Sequence, residues 1–198
     1  MSLQYLVVIA AVLIFSLPGC ATTTFETSGS APRQDLCESP GAAISALVLW
    51  GTNWRADQKD VPLREAAARQ GIEQFFADSK CYSKARVLRN VGGRPAIELS
   101  QEEVRQVAMG VEPPPARVLV IVVRELGPVI KLLGSAALLE GGTEVVLDIR
   151  AQALDEQAPA ADFTAHWQNG GPGVIKGVVT LVEDMRAALQ AALRPESQ

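Results

Sequence analysis

Runs of apolar residues and strict alternation along the chain predict its strands. Ile44 to Trp50 (ISALVLW) and Arg117 to Arg124 (RVLVIVVR) are almost wholly apolar, as central strands buried on both faces are. Glu144 to Ala153 and Asp162 to Gln168 alternate apolar and polar residues, which predicts strands with one face on the core. Lys84 to Val91 is a more polar strand candidate that ends at Gly92-Gly93.

Three stretches have helical spacing. Val61 to Asp78 follows Asp60, a capping residue type, and has Pro62 in its first turn. Ser100-Gln101-Glu102-Glu103 is a capping box that opens a short helix to about Met109. The last helix is expected from about Val174 to Leu193. The apolar stripes consist of Ala68, Ile72, Phe75 and Phe76 on the first helix and Val178, Leu181, Val182, Met185 and Leu189 on the last.

These elements predict a mixed α/β (α+β) domain in the order β-α-β-α-β-β-β-α. A mixed sheet of about five strands would carry the helices, and the later strands, close in sequence, indicate an antiparallel meander. Residues 41–194 hold all of these elements and are expected to form one globular domain. Residues 195–198 are a polar tail.

The first nineteen residues have the pattern of an export signal. Leu6 to Leu17 is uncharged and too short to span a bilayer comfortably. Leu17-Pro18-Gly19-Cys20 resembles the bacterial lipobox, which implies cleavage of residues 1–19 and lipidation of Cys20. Ala21, rather than Asp, implies by the same resemblance an outer-membrane location facing the periplasm. The alternative is an uncleaved N-terminal helix. Residues 20–40, rich in Thr, Ser, Gly and Pro, are interpreted as the lipidated cysteine and a flexible tether.

Two cysteines remain once Cys20 carries the lipid. Cys37 and Cys81 form an even pair in an oxidising compartment, so we predict a disulfide between them. Two buried reduced thiols are the alternative. A metal site is not expected, because no cluster of His or Cys supplies further ligands.

Charge and side-chain chemistry restrict the function classes. The net charge of −4 argues against nucleic acid as a partner, because phosphate binding needs a basic surface. His166, the only histidine, falls on the polar side of its strand without a nucleophile at a recognisable spacing. Asn169 to Gly173 is glycine-rich but lacks the residues of a phosphate loop and is interpreted as a strand-to-helix turn. We therefore predict a protein without catalytic activity and without a cofactor.

Two apolar segments are candidates for contact with a partner or a membrane. Residues 127–142 (GPVIKLLGSAALLEGG) are more apolar than a hairpin connection needs. The alternative is that the ends of this segment extend the flanking strands and its middle packs on the core. Trp54, in a loop beside Arg55, is an exposed candidate for the headgroup region, with packing under the first helix as the alternative. The candidate contact residues are Trp54, Val129, Ile130, Leu132, Leu133, Leu138 and Leu139.

The element order, the capped helix before the long strand and the closing helix resemble one group of periplasmic domains. The group contains the N-terminal domain of TolB, the curli secretion channel lipoprotein, the Pel polysaccharide export lipoprotein (PelC) and the lipoprotein activators of peptidoglycan synthases. The resemblance covers roughly residues 42–194 and implies protein binding or ring formation rather than catalysis. We expect a lipid-anchored accessory component of a cell-envelope machine, in contact with envelope proteins and capable of homo-oligomerisation. The alternatives are a ring-forming subunit of a polysaccharide or protein export channel and an envelope hydrolase.

Overall fold

The computed structural model describes residues 21–30, 44–82, 84–133, 138–154 and 161–193. Eight strands and three α-helices are present in these ranges. The strands are β1 (Thr22–Ser30), β2 (Ser45–Thr52), β3 (Lys84–Leu88), β4 (Asn90–Val91), β5 (Arg94–Pro95), β6 (Arg117–Leu133), β7 (Leu138–Ala153) and β8 (Ala161–Pro172). The helices are α1 (Val61–Asp78), α2 (Gln101–Met109) and α3 (Leu181–Leu193).

Six of the strands form one mixed sheet in the order β1-β8-β7-β6-β2-β3. The pairs β2–β3 and β2–β6 are parallel, whereas β6–β7, β7–β8 and β8–β1 are antiparallel. The strands β4 and β5 form a separate small hairpin. This is the mixed α/β architecture with helices packed on a sheet that the sequence predicts, with one strand more than the five expected.

The two faces of the sheet are covered unequally. The helices α1 and α3 pack on one face over the main core, which includes Trp50, Ile121, Leu147 and Trp167, all buried. The opposite face is covered by α2 only over β2 and β6, where Leu47, Leu49 and Val118 meet Val104 and Ala108. The remainder of that face, on β1, β7 and β8, carries polar side chains. We call the two faces the helix face and the open face.

Several local predictions are confirmed. The helix α1 has the predicted bounds, and Ala68, Ile72, Phe75 and Phe76 are buried on it. The capping box of α2 is complete, because Glu103 N donates to Ser100 Oγ (3.3 Å) and Ser100 N donates to Glu103 Oε2 (2.8 Å). The predicted cap Asp60 differs. Its φ is 54° and its side chain makes no capping hydrogen bond, so its backbone carbonyl alone receives the first helical N–H groups.

The segment Thr22–Ser30, which the sequence analysis assigns to a flexible tether, forms the edge strand β1 instead. It pairs antiparallel with β8 over nine residues, from Thr22 opposite Gly170 to Ser30 opposite Asp162. Phe25 lies opposite Trp167 and packs against the main core. The prediction fails here because an outermost strand packs only one face, and a single aromatic residue is sufficient to hold it there.

The segment 127–142 extends the two strands beside it. In the described residues β6 continues to Leu133 and β7 begins at Leu138, and the two are paired up to that point. The ends of the segment therefore extend the flanking strands, as the alternative to a contact segment expects. Residues 134–137 and the side chains of residues 130–139 lie outside what the structure describes.

The last helix begins later than the sequence indicates. Asn169 to Pro172 belong to β8, the chain turns at Gly173 with a φ of 72°, and α3 begins only at Leu181 after a 3₁₀ turn at Val178–Thr180. Val178 is 44% exposed and does not belong to the apolar stripe, whereas Leu181, Met185 and Leu189 are buried. The predicted helix start is wrong because Gly173 and Gly177 place irregular backbone before it.

Several predictions fall on residues that the structure does not describe. They are the signal peptide over residues 1–19, the lipidation of Cys20, residues 31–40 of the tether, Cys37 and the tail 195–198. Cys81 is buried beside Tyr82, and its pairing with Cys37 stays a prediction. Within the described ranges, no helix has both the length and the apolar character needed to cross a membrane.

Candidate interaction surface

At the end of the sheet where β6 leads towards β7, residues of four neighbouring strands lie opposite one another in one row. Thr22 lies opposite Gly170, Gly170 opposite Gly142, and Gly142 opposite Val129. We call this the hairpin end of the sheet. The first residue of β1, the predicted contact residue Val129 and the glycine-rich ends of β7 and β8 therefore lie side by side.

Close backbone approach explains the glycines at the hairpin end. A Cβ on Gly142 would lie 2.5 Å from the carbonyl oxygen of Asn169 and 2.6 Å from the Cα of Gly170. A Cβ on Gly141 would lie 2.2 Å from the carbonyl oxygen of Val174. Since real Cβ atoms do not approach other atoms this closely, glycine is required where β7, β8 and the following loop meet.

The loop between β8 and α3, residues 173–180, is fixed by polar contacts that point inward. Lys176 Nζ donates to Asp184 Oδ1 at 2.7 Å and lies 5.8 Å from the centre of the Trp167 ring. Thr180 Oγ1 donates to the other oxygen of Asp184 at 2.8 Å. Asp184 is 5% exposed, so an ion pair that is largely shielded from water holds the loop in one position.

The same loop presents apolar side chains to the solvent. Ile175 is 80% exposed and Val179 is 88% exposed, and Val178 lies between them. Each is close in sequence to Lys176, whose inward orientation turns its neighbours outward. Large apolar residues on a fixed loop indicate a contact surface rather than part of the core.

The structure brings some predicted contact residues to the hairpin end and places another elsewhere. Val129 is half-buried on β6, and the backbone of Ile130, Leu132, Leu133, Leu138 and Leu139 continues the two strands beyond it. Trp54 is half-buried against the main core, as the packing alternative expects. It lines an open cleft of about 450 Å³ together with Arg124, Glu144 and Val146.

The carboxylate of Glu125 lies between this cleft and the start of α1 on the helix face. Glu125 lies beside the irregularity in β6 at which the pairing with β7 shifts by one residue. Its oxygens accept hydrogen bonds from Arg64 Nη1 (3.2 Å) and Gln58 Nε2 (3.1 Å), and Arg55 Nη2 lies 3.2 Å away. Arg64 also donates to the carbonyl of Leu126 at 2.5 Å. The cluster ties α1 to the base of the long hairpin.

His166 lies on the open face, as its alternation predicts. Its Nε2 is 2.5 Å from Glu144 Oε1 and 3.1 Å from Gln168 Nε2. On the same face Thr164 donates to Asp148, and Arg150 donates to Asp162. Except for the contact between His166 and Gln168 within β8, these contacts join side chains on neighbouring strands, which stabilises a sheet surface. Among the described residues, no group of three or more His, Cys, Asp or Glu is placed to hold a metal ion.

Two functional features do not follow from the sequence patterns. Helical spacing places Ile175 and Val179 in the last helix, although Gly173 and Gly177 close to them give a signal for irregular backbone. The strand β1 is assigned to a tether because its composition is that of a linker. The alternation of Thr, Phe and Glu in TTTFETSGS is a weak strand signal, and it is the only one available there.

No protein family and no curated protein sequence match the chain. Among solved structures, the PelC dodecamer from Paraburkholderia phytofirmans has a TM-score of 0.43 and 11% identity and covers 89% of this chain and all of its own. The dodecamer of a single-residue variant of that PelC, in another crystal form, gives the same TM-score and identity. A PDZ domain protein from Parabacteroides distasonis has a TM-score of 0.35 and 11% identity, with 96% of this chain and 40% of its own covered. These are similarities of fold at low TM-score, and we attach no functional conclusion to them.

Proposed function

We propose that the chain is a lipid-anchored protein of the outer membrane, facing the periplasm, that serves without catalysis as an accessory or assembly component of a cell-envelope machine. It acts through protein–protein contacts while its hairpin end lies directly against the membrane. The observation that carries the proposal is the position of β1, which begins at Thr22, two residues after the candidate lipidation site Cys20.

The register of β1 determines which part of the domain faces the lipid. Two residues span at most about 7 Å, so a lipid on Cys20 would lie next to the first residue of β1. Thr22 is paired with Gly170 at the hairpin end. The sheet would therefore be fixed to the membrane by this end, with no flexible spacer between the lipid and the fold.

The exposed loop supports the same orientation. Ile175 and Val179 follow Gly170 after a few residues and are among the most exposed large apolar side chains in the described part of the chain. Burying an apolar side chain of this size contributes about 1.5–3 kcal/mol. Apolar side chains that lie beside a lipid anchor and enter the same interface add to the free energy of membrane binding.

Fractionation and fluorescence test the two parts of this proposal. We expect the full-length protein to fractionate with the outer membrane, and a variant whose residues 1–20 are replaced by a cleavable signal peptide without a lipobox to become soluble in the periplasm. Retention of that variant in the membrane would remove the lipid anchor from the proposal. For the loop, an environment-sensitive fluorophore on Val179→Cys should shift to the blue when the lipidated protein is placed in vesicles.

A matched position at the other end of the sheet provides the control. Met109 at the end of α2 is 60% exposed, and α2 packs over Val118 near the start of β6, whereas Val129 lies near the other end of that strand. A fluorophore on Met109→Cys should not change its emission in the same vesicles. Equal shifts at both positions, or none at Val179→Cys, would contradict an orientation with the hairpin end on the bilayer.

A second candidate function is a ring-forming subunit of an export channel for a polysaccharide or a protein. The observation that favours it is that the six-stranded sheet ends in two strands, β1 and β3, each paired on one side only within the described residues. Free sheet edges are sites at which copies can join. Size measurement of the protein in mild detergent tests it, since a monomer would exclude a ring.

A further inference from the structure

The two strands that are paired on one side only within the described residues, β1 and β3, have opposite directions and differ in how their edges are protected. In sheet order, β3 runs parallel to β2 and β6, and three antiparallel steps then make β1 run antiparallel to β3. Edge strands usually carry Lys, Pro or a bulge that discourages pairing with other chains. Over Thr22–Ser28, β1 carries no Lys, Pro or bulge and a single charge, Glu26, whereas β3 carries Lys84 and Arg86. Within the described residues no strand is paired with the outer edge of β1.

We propose that β1 of one copy pairs antiparallel with β3 of the next copy, so that the sheets of neighbouring copies join into one continuous sheet. This inference deepens the second candidate function, and its geometry rests on the membrane anchor of the first. The partner is a second copy of this chain, and the contact is formed by Thr24–Ser28 of one copy and Lys84–Leu88 of the other.

The side chains match in this register on both faces. Phe25 of β1 and Val87 of β3 both pack against the main core on the helix face, and pairing them would extend that core from one copy to the next. Glu26 is then opposite Arg86 on the open face. Both side chains are exposed, and neither has an ion pair within the described part of the chain. An exposed pair of opposite charge directly across two strands is favourable.

The membrane anchor favours pairing of β1 with β3 of the next copy over pairing of β1 with β1 of another copy. An antiparallel β1–β1 contact would place the two Thr22 ends at opposite ends of the shared sheet, so that only one lipid could reach a given membrane. A parallel β1–β1 contact would place the helix layers of the two copies on opposite faces. Pairing of β1 with β3 repeats the same orientation in every copy, which brings all the Thr22 ends to one side.

The stagger of the two edges fits a closed ring. From Glu26, the residues paired across the sheet lead through His166 to Val146 on β7. From Arg86, they lead through Leu47 and Val118 to Gln152 on β7. These positions are six residues apart in a sheet of six strands, which is one residue of stagger per strand. Closed sheets of eight strands with a shear of eight have the same stagger, and their strands are inclined by about 36° to the axis.

Cysteine cross-linking of the full-length protein in isolated membranes tests the contact. Oxidation of the double variant Glu26→Cys with Arg86→Cys should produce dimers and higher multimers, because opposite residues of paired strands are within disulfide range. The matched control is Glu183→Cys with Arg86→Cys, which places an exposed cysteine on α3 and should remain monomeric. Dimers from Glu26→Cys alone would overturn the proposal in favour of β1–β1 pairing, and a wholly monomeric double variant would also overturn it.

Charge exchange gives a second measurement that does not depend on cysteine. The Glu26→Arg and Arg86→Glu variants should each raise the dissociation constant of the detergent-extracted multimer at least tenfold. The variant that combines both substitutions should form the multimer again. Failure of the combined variant to recover would contradict the Glu26–Arg86 contact. A cooperative thermal unfolding transition of each monomeric variant shows that the fold is intact.

The anchor and the ring can fail separately. If the variant with the signal peptide that lacks a lipobox remains in the membrane while the cross-linked multimers form, the anchor proposal is wrong and the edge contact stands. If that variant is released but no multimers form from the anchored protein, the edge contact is wrong and the anchor stands.

Discussion

Thr22 Oγ1 donates a hydrogen bond of 3.1 Å to the carbonyl oxygen of Gly170, a residue 148 positions later in the chain. Beside it, Asn169 Nδ2 donates to Thr23 Oγ1 at 2.7 Å. The beginning of β1 is thus joined by backbone pairing and by side chains to the glycine-rich end of β8.

The close approach of Gly142 and Gly170 should not tolerate a side chain. We expect Gly142→Val to lower the free energy of unfolding by about 1–3 kcal/mol, as overpacking does, although Val is otherwise favoured in strands. Urea unfolding measures this. Gly177→Ala is the control, because a Cβ there meets no atom within 4 Å. Equal midpoints for the two variants would show that β7 and β8 can separate without cost.

Removing only one partner of the ion pair between Arg64 and Glu125 should lower the free energy of unfolding strongly. Arg64 is 8% exposed and also donates to the carbonyls of Lys59 and Leu126. We expect Arg64→Met to lower the free energy of unfolding by about 3 kcal/mol, because the shielded Glu125 carboxylate keeps only the exposed Arg55 as an ion-pair partner and the carbonyl of Leu126 loses its donor. Chemical denaturation is the measurement.

A double variant separates the loss of the ion pair from the loss of packing at Arg64. Arg64→Met combined with Glu125→Leu should recover part of the loss, because no shielded charge remains. Arg55→Met is the control, since the side chain of Arg55 is 66% exposed and its surface ion pair contributes about 0–1 kcal/mol. A double variant less stable than Arg64→Met would contradict this account.

Asp184 should govern the position of the loop before α3. We expect Asp184→Ala to destabilise the protein by about 3–5 kcal/mol, because it leaves Lys176 largely shielded without its carboxylate. The same variant should increase hydrogen exchange of residues 174–180 relative to α3. Glu183→Ala, the adjacent acid with a side chain 74% exposed, is the control. Unchanged exchange in the loop after Asp184→Ala would mean that other contacts fix it.

The capping box of α2 should make its stability depend on pH in the acid range. The backbone N–H of Ser100 and then the guanidinium of Arg94, which donates at 2.7 Å, lower the pKa of Glu103 from its usual 4.5 to about 2. Because the folded-state pKa is depressed, this contribution is fully present above about pH 4.5 and is lost as the pH falls towards 2.

Comparison of Glu103→Ala with the wild type at several pH values measures this effect. The difference in urea midpoint should be constant from pH 7 to about 5 and should shrink towards pH 2. Glu102→Ala, on the same first turn, is the control, and its difference should not follow this profile. A Glu103→Ala difference that is unchanged at pH 2 would rule out the carboxylate as its origin.

Features with a local cause could be predicted from the sequence. The helix α1 has its predicted bounds because apolar spacing and Pro62 both mark them. The alternation of Phe163, Ala165 and Trp167 gives the buried face of β8. The capping box between Ser100 and Glu103 depends on residues three positions apart, so its hydrogen bonds follow from the sequence directly.

Features that depend on distant partners could not be predicted. Thr22–Ser30 is a strand only because β8 offers it an edge, and nothing within the nine residues specifies that edge. Arg64 and Glu125 are 61 positions apart, and neither residue indicates the other. The exposure of Ile175 and Val179 depends on Lys176 turning inward to Asp184, whereas helical periodicity alone places Val178 on the buried stripe.

The pairing of β1 with β8 also constrains the order in which the molecule is completed. Closing a loop of this length is slow compared with forming local contacts, so β1 can join the sheet only after most of the chain has been synthesised and β8 has formed. Until then Phe25 and the outer edge of β8 are both uncovered. If the lipid is already on Cys20, this last step takes place at the bilayer surface, and the membrane itself restricts where the first strand can search for its partner.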